Sequence, residues 1–363
     1  MWQYVLLIIL PLIVHHFKVK QTVTYACGID NVNNRNRNAM ALFWGMLTVL
    51  LLLRHESVGR DLPTYRYIFN FISRSSWSRS IWRSAEIGFN FLIKSIASLT
   101  GSFRLLIIVS TILGVYPIAK AYVKYSEDAS LTIAVFLIMS NFVLFFSGLK
   151  QTIAISIGFI AFEFVKKKKL VQFEITVCIA MMFHASAFMI AFMYPLYHVR
   201  ITKKWLWGIV PALVLVFAFN EQIFEVLTAF LMLFTDYYGT VSNTGAYTML
   251  ILFAGFAVFS YIVPDETTID GDTIGMRNFL LMAIVIQMFA PLHTLAMRMN
   301  YYYIAFIPLL LPKVIKNRSE RWDQVAVIFR HIMVVFFVMY FFATAPNDNV
   351  LDTFPYRFVW DSI

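Results

Sequence analysis

The chain is organised around residues 54–69, Arg-His-Glu-Ser-Val-Gly-Arg-Asp-Leu-Pro-Thr-Tyr-Arg-Tyr-Ile-Phe. This stretch follows directly on a long apolar run, so its charged residues lie at a membrane face and not within the bilayer. Pro63 follows Asp61 by two residues, which predicts the start of a helix whose dipole Asp61 favours. The helix would place Tyr65 and Phe69 on one face, one turn apart.

The composition is typical of a polytopic membrane protein. The 363 residues are 60% hydrophobic and 17% aromatic, with 14% charged residues and a mean hydropathy of +0.71. No soluble core absorbs that much apolar surface. We therefore predict an all-α polytopic membrane protein, with residues 1–363 in a single integral membrane domain.

Apolar windows and charged loops alternate along the whole chain. Most windows are about 15–18 residues long, which is short but adequate for a bilayer with snorkelling flanks. We expect the first to be a span and not a cleaved signal peptide, since it contains Pro11 and has no basic residues before it. The windows are residues 2–17, 39–53, 103–120, 130–147, 150–165, 170–198, 205–220, 246–263, 277–293, 297–312 and 326–343.

Lysine and arginine mark the cytoplasmic loops and set the orientation. The basic residues after the first window place the N-terminus outside; they are Lys18, Lys20, Arg35 and Arg37. The other strong cytoplasmic anchors are the run Lys166 to Lys169 and the set Lys313, Lys316, Arg318 and Arg321. Because the basic residues are dispersed between spans, topology explains the net charge of +10 better than nucleic-acid binding does.

Residues 170–198 are too long for one level helix. If they crossed the membrane once, the basic residues that follow would lie outside. We therefore predict two short helices that meet at His184 and turn back, which gives about 12 membrane segments in all. A single long tilted helix is the alternative.

Three segments lie outside the membrane under this topology. Residues 54–102 form the first, with apolar residues at helical spacing between Glu86 and Leu99 that predict interfacial helices. Residues 220–245 form a second external loop, an interfacial helix and a flexible lid that ends in Asp236-Tyr237-Tyr238-Gly239. The third is the tail after Ala343.

The two cysteines, Cys27 and Cys178, fall in different predicted environments and do not suggest a disulfide. Histidine and cysteine form no cluster at metal-ligand spacing, and no Asp-x-Asp pair lies on the external side, so we expect neither a metal nor a cofactor.

Several charged side chains gather on the predicted external face. They are Arg54, Asp61, Glu86, Lys150, His184, His293, Arg298 and Arg357. Each alone is more often a snorkelling or helix-capping residue, and His184 alone is more often a hydrogen-bonded core histidine. Several cations on one side of an otherwise apolar protein indicate a site for a lipid-linked anion.

Six short motifs occur in order along the chain. They are Arg54…Gly59-Arg60-Asp61…Tyr65…Phe69, Glu86-Ile87-Gly88-Phe89, Lys150-Gln151-Thr152-Ile153-Ala154, Phe183-His184-Ala185-Ser186-Ala187, Arg298…Tyr302 before Leu311-Pro312, and Pro355-Tyr356-Arg357-Phe358. Together they resemble the EpsG family, whose members are similar to Wzy polysaccharide polymerases, over nearly the whole chain. Two positions depart from the family pattern. Lys150 stands where the family usually has arginine, so a single point charge takes the place of bidentate phosphate binding. Arg60 stands where the family usually has a small hydroxyl residue.

The resemblance implies a glycosyltransferase that joins oligosaccharide repeat units on polyprenyl diphosphate into a surface polysaccharide. It implies a multi-pass protein of the bacterial cytoplasmic (inner) membrane, with its active site facing the periplasm or exterior. The implied partners are the lipid-linked oligosaccharide, the bilayer, a chain-length regulator and a flippase.

The chemistry suggests a role for each candidate residue. Diphosphate is a good leaving group that needs charge stabilisation, which we expect from Arg54, Lys150 and Arg298. The acceptor hydroxyl needs a base, and Asp61 is the first candidate and His184 the second.

The remaining candidates concern the sugar. We expect Glu86 to bind sugar hydroxyls or to orient a cation. The residues expected to contact the substrate as well are Tyr65, Tyr302, Tyr356 and Arg357.

Two other function classes fit parts of the pattern. A flippase or transporter of the same lipid would also need cations and a lipid groove, but transporters tend to bind at the bilayer midplane between repeated halves. No repeat is visible here, so this hypothesis ranks second. A membrane acyltransferase that modifies glycans would need an intramembrane histidine with further polar residues, and only His184 is a candidate.

Overall fold

The computed structural model describes residues 1–16, 28–231, 245–267, 269–345 and 350–361. Within these ranges the regular structure is helical, and extended pairing is limited to isolated bridges between Arg54 and Phe358 and between Pro264 and Arg318. The predicted all-α fold is confirmed. Cys27, Lys18, Lys20 and the stretch Asp236 to Gly239 lie outside the described residues, and Cys178 is a free, exposed thiol.

The helices follow one another with short connections. The first nine are α1 (Trp2–His16), α2 (Gly28–Leu53), α3 (Leu62–Arg74), α4 (Trp77–Ile81), α5 (Ile87–Leu99), α6 (Phe103–Tyr125), α7 (Ala129–Ile138), α8 (Ser140–Ser147) and α9 (Leu149–Lys166). The others are α10 (Leu170–Phe183), α11 (Met193–His198), α12 (Leu206–Ala218), α13 (Asn220–Leu231), α14 (Gly245–Ile262), α15 (Gly271–Gln287), α16 (Thr294–Ile304), α17 (Ile307–Lys316) and α18 (Asp323–Thr344). Short 3₁₀ turns are Ala185–Phe192, Lys203–Trp205, Glu320–Trp322 and Val350–Asp352.

Length and hydropathy identify the membrane-spanning helices among the described residues. Four are long and apolar enough to cross: Asn34–Leu53, Phe103–Tyr125, Gly245–Ile262 and Glu320–Thr344. Two bent pairs raise the number to six if each is one span: Ala129–Ile138 with Asn141–Ser147, and Ala185–His198 with Lys203–Ala218. Shorter apolar helices are Trp2–His16, Ile87–Leu99 and Leu170–Phe183. The protein is therefore a multi-pass helical membrane protein, and the larger number of about 12 segments stays a prediction.

The chain forms two compact units. One comprises Met1–Ala191 with Phe329–Ile363, and the other comprises Phe192–Ile328. In the second unit, α15 is a central helix that packs against α11, α14, α16 and α17. Asn278 on α15 donates to the carbonyls of Leu196 and Val199, at 2.8 and 2.6 Å, and so satisfies the C-terminal end of α11.

Residues 54–69 fold as predicted. Helix α3 begins after Asp61 with Pro63 in its first turn, and Tyr65 and Phe69 are buried on the same face. The Tyr65 ring packs against Phe89 of α5 with centroids 5.5 Å apart. This aromatic contact fixes α3 and α5 against one another.

The predicted break at His184 is confirmed. Helix α10 ends at Phe183, His184 has extended backbone angles (φ −153°, ψ 124°), and a 3₁₀ turn follows. A single continuous helix over residues 170–198 is therefore absent, and the reversal of the chain direction at this point stays a prediction. A second break at Met139 divides the predicted window 130–147 into α7 and α8, which are bent by 65°.

The C-terminal tail runs along the loop between α2 and α3. The amides of His55 and Val359 donate to the carbonyls of Arg357 and Leu53, at 2.8 and 2.7 Å. The amide of Gly59 donates to the carbonyl of Asp352 at 3.0 Å. Residues more than 290 positions apart in sequence thus form one backbone network beside α8.

Candidate active site

Three of the predicted residues form a contiguous charged cluster. The carboxylate of Glu86 lies 2.7 Å from Nδ1 of His184 through one oxygen. Its other oxygen accepts a hydrogen bond from Nζ of Lys150. The side chains are 15%, 8% and 29% exposed respectively, so the cluster is largely buried but reaches the surface at Lys150.

Helix ends bring these side chains together. Glu86 directly precedes α5, Lys150 lies in the first turn of α9, and His184 directly follows α10. The short turn after α9 makes α9 and α10 antiparallel neighbours, so the start of one lies beside the end of the other. Because helix ends leave backbone groups unsatisfied, such ends commonly carry polar side chains, and this geometry concentrates them at one site.

The electrostatics of the cluster keep Glu86 ionised. Burial favours the neutral carboxyl and would raise the pKa of Glu86, but the hydrogen bond to His184 and the charge of Lys150 outweigh it and hold the pKa below its ordinary value. A carboxylate only accepts hydrogen bonds, so Nδ1 of His184 carries the proton in the neutral ring. The basic nitrogen is then Nε2, and the arrangement is that of an imidazole base held by a carboxylate.

Asp61 lies at the beginning of α3 without capping it. Its side chain makes no hydrogen bond to the helix, and its backbone amide donates instead to Oγ of Ser147 at 3.0 Å. Ser147 ends α8, one turn of chain before Lys150. The half-buried Asp61 carboxylate has no hydrogen-bond partner among the described residues. Capping of α3 therefore does not explain why an aspartate stands at this position.

Gly59 allows this loop to approach the backbone of α8. Its φ of +122° lies in the left-handed region, and a Cβ added there would lie 2.1 Å from the carbonyl oxygen of Phe146. Only glycine fits both constraints. The position of Asp61 beside Ser147 therefore depends on Gly59.

Arg54 occupies a different environment from the expected one. From sequence we expected Arg54 at the external face as a phosphate-binding cation, whereas its side chain is 0% exposed. Nη1 donates to the carbonyl of Phe145 at 3.1 Å, while Nε and Nη2 have no hydrogen-bond partner in the described structure. Burial and the nearby charge of Arg104 lower the pKa of Arg54 to about 9. The tail covers this position, which is why the apolar surroundings were not evident from sequence; phosphate binding by Arg54 stays a proposal.

Sequence reasoning missed two basic residues that support the site. Arg104 donates through Nη1 to the carbonyl of Arg54 at 2.6 Å and through Nη2 to that of Leu52, which satisfies the end of α2. Lys94 donates through Nζ to the carbonyl of Ser75 at 2.6 Å and so supports the end of α3. The sequence signal that could have identified both residues is a basic residue inside an apolar helix, because cations interact favourably with helix C-termini.

The tyrosines expected to contact sugar are all buried. Tyr65 packs on Phe89, and the hydroxyl of Tyr356 donates to the carbonyl of Leu50 at 2.7 Å. Tyr302 on α16 is 1% exposed. These rings pack the protein interior here, and sugar stacking by them stays a prediction. Arg357 is half-buried in the tail, where its carbonyl accepts from the amide of His55.

The remaining candidates lie in the second unit. Arg298 is half-buried on α16, five residues after His293, whose Nδ1 accepts from the amide of Leu295 at 3.0 Å. Over the described residues, no group of three or more histidine, cysteine, aspartate or glutamate side chains could hold a metal ion. The first unit thus brings together Glu86, Lys150 and His184, and it places the amide of Asp61 on Ser147, three residues before Lys150.

Comparison with known proteins gives one match. The sequence model of the EpsG family matches residues 38–358, nearly the whole chain. The matched range includes every residue of the charged cluster. No curated protein matches the chain, and no solved structure matches it.

Proposed function

Since this chain belongs to the EpsG family, whose members are Wzy-type polysaccharide polymerases, we propose that it joins oligosaccharide repeat units carried on polyprenyl diphosphate into a surface polysaccharide. The proposed site is the external face of the bacterial cytoplasmic membrane, in a protein of about 12 membrane segments. The observation that supports it best is the cluster of Glu86, His184 and Lys150, where a held imidazole lies beside a cation.

The proposed reaction is a glycosyl transfer. The acceptor hydroxyl oxygen of the incoming unit attacks the anomeric carbon of the growing glycan. The bond between that carbon and the diphosphate oxygen breaks, and polyprenyl diphosphate leaves with the electron pair. The hydroxyl proton passes to a protein base, so atoms and charges balance without a cofactor.

We assign the base to Nε2 of His184 and the positioning of that ring to Glu86. From sequence we expected Asp61 as the first candidate and His184 as the second, and the contact at 2.7 Å between His184 and Glu86 supports proposing His184 first. The ordinary pKa of an imidazole also lies nearer to neutral pH than that of a carboxylate, which suits a general base. Asp61, with a carboxylate that has no partner in the described structure, is assigned to binding the acceptor sugar.

We assign the diphosphate to the cations. Lys150 is the most exposed member of the cluster, so it can meet a phosphate oxygen at the surface while Glu86 keeps it in place. Phosphate binding by Arg298 of the second unit is a separate proposal from the sequence, since arginine binds phosphate through two donors. The substrate lipid, a flippase that delivers it and a chain-length regulator are the proposed partners.

A gel of surface glycan from cells carrying single variants tests this proposal. We expect His184→Asn and Asp61→Asn to reduce the ladder to a single repeat unit at normal protein level. The matched control is Glu56→Gln, which removes a carboxylate of the same loop whose exposed partner is Arg66 at 2.7 Å. Full ladders from both variants would overturn the site, and absence of any exported unit would favour a flippase.

A further inference from the structure

An open apolar groove lies between α2 and α6. Its volume is about 790 Å³. The wall residues Ile112 and Tyr116 are 49% and 65% exposed, so the groove opens laterally from the protein surface. The apolar lining includes Trp44, Gly45, Ile112, Val115, Tyr116 and Val123.

One end of this groove is basic. Arg37, Lys120 and Lys124 line it together with the apolar residues. Lys124 pairs with Glu163 at 2.7 Å. Within the described parts of the chain, the exposed side chains of Arg37 and Lys120 have neither a hydrogen bond nor an ion pair. Among the described residues, the positive charges of Arg37 and Lys120 at this end therefore have no ion-pair partner.

The two helices that form the groove are antiparallel and tied at both ends. At one end Arg104 of α6 donates to the carbonyl of Arg54, just after α2. At the other end Asn36 of α2 donates to the carbonyl of Ser126, just after α6. At this second end Lys124 pairs with Glu163, which lies about 20 Å along α9 from Lys150 at 1.5 Å per residue, so the basic end of the groove is remote from the candidate active site.

The length of the groove matches one leaflet. Arg37 and Thr48 mark its extent along α2, a distance of about 16 Å at 1.5 Å per residue. The hydrocarbon core of a bilayer is about 30 Å thick, so this is about half of it. A lipid with its headgroup at the basic end would thus lie in the leaflet opposite to the candidate active site.

We propose that this groove binds an anionic glycerophospholipid of that opposite leaflet. Its phosphate would meet Arg37 and Lys120, and an acyl chain would lie along the apolar wall past Gly45. The polyprenyl-linked substrate does not fit this placement, because the proposed function puts its diphosphate at the Lys150 end of α9. The choice of leaflet rests on the proposed function, whereas the lipid site itself stands on the groove and its charges.

Gly45 provides a variant that fills the groove. A Cβ at this position meets no atom within 4 Å, so Gly45→Leu adds a side chain to the groove without displacing the protein. The matched control is Gly208→Leu, at an exposed helical glycine that also has no atom within 4 Å of an added Cβ and does not line the groove. Both changes raise helix propensity equally, so a difference in lipid binding between the two variants shows that the lipid binds in the groove.

The test is native mass spectrometry of the purified full-length protein with added phosphatidylglycerol or phosphatidylcholine of the same acyl chains. We expect one tightly bound phosphatidylglycerol, retained by Gly208→Leu and lost in Gly45→Leu. Arg37→Gln and Lys120→Gln should each weaken its binding about fivefold, since one cation near an anionic headgroup contributes about 1 kcal/mol. Lys167→Gln, outside the groove, should not.

Two results of this measurement would overturn the proposal. Equal binding of both lipids would show an apolar groove without headgroup recognition and would overturn the proposal. Retention of the lipid by Gly45→Leu would place the bound lipid elsewhere and would also overturn it. Thermal unfolding of each variant in detergent distinguishes loss of the lipid from loss of the fold.

Discussion

The carboxylate of Glu86 holds Nδ1 of His184 at 2.7 Å, although the residues are 98 positions apart in sequence. The same carboxylate binds the ammonium of Lys150 through its second oxygen. A single side chain therefore links the ends of three helices, and its charge is needed by both neighbours.

The first prediction concerns Glu86→Gln. The amide still accepts from Nδ1 through its oxygen, but it loses the charge that holds Lys150 and supports an imidazolium at His184. We expect polymer formation to fall at least about tenfold, a fraction of the 10²–10⁴ that general base catalysis contributes. Glu86→Asp, which keeps the charge, should recover part of the activity.

The control for this change is Glu174→Gln, which neutralises an exposed carboxylate on α10. The measurement is repeat-unit transfer by purified enzyme across a range of pH. A positioning role predicts that the pH profile shifts in Glu86→Gln along with the loss of rate. A uniform loss at every pH, with lowered thermal stability, would indicate a structural role alone.

The second prediction concerns stability in acid. Glu86 has an ordinary pKa of 4.5 in the unfolded chain and a lower one in the fold. Its contribution to stability is therefore complete above pH 4.5 and is lost as the pH falls through the folded value. The thermal midpoint of the wild type should approach that of Glu86→Gln on acidification. A constant difference between the two proteins from neutral to acid pH would contradict it.

The third prediction concerns Gly59→Ala. A methyl group would lie 2.1 Å from the carbonyl oxygen of Phe146, at a φ of +122° that alanine avoids. We expect the free energy of unfolding to fall by at least about 2 kcal/mol, and polymer formation to fall with it because Asp61 shifts. Gly271→Ala is the control, since a Cβ there meets no atom within 4 Å. Equal stability of the two variants would show that the loop can relax.

The fourth prediction concerns Arg54→Met. The guanidinium of Arg54 is fully buried, makes one hydrogen bond, to Phe145, and has the charge of Arg104 nearby. Burial of a charge with so few partners lowers the stability of the fold. Replacing it by an apolar side chain of similar length should leave the thermal midpoint unchanged or raised, whereas polymer formation should be abolished if the guanidinium binds phosphate. A wild-type glycan ladder would return Arg54 to a packing role.

Much of the fold was predictable because it depends on local pattern. The apolar windows identified the helices, Asp61 and Pro63 identified the start of α3, and His184 identified a break. These features arise from hydropathy and from backbone preferences within a few residues. The break at Met139 was missed, since the apolar run continues through it and burial on all sides removes any periodic signal.

The members of the charged cluster were among the residues singled out from sequence, but their contacts were not predictable. Charged residues are rare in an apolar chain, which is why Glu86, Lys150 and His184 were all found. Spacing along the chain carries no information on which of these residues are in contact, so the hydrogen bond between Glu86 and His184 could not be predicted from the sequence. Arg104 was missed because its partners are carbonyls at the end of another helix.

The sequence by itself therefore determined the membrane class, the positions of most helices and the residues that carry charge to the candidate site. Only the tertiary structure decided that Glu86 joins His184 to Lys150, that the tail covers Arg54 and that a basic groove lies between α2 and α6. The physical reason is that hydropathy acts on each segment separately, whereas ion pairs and burial depend on packing between segments far apart in the chain.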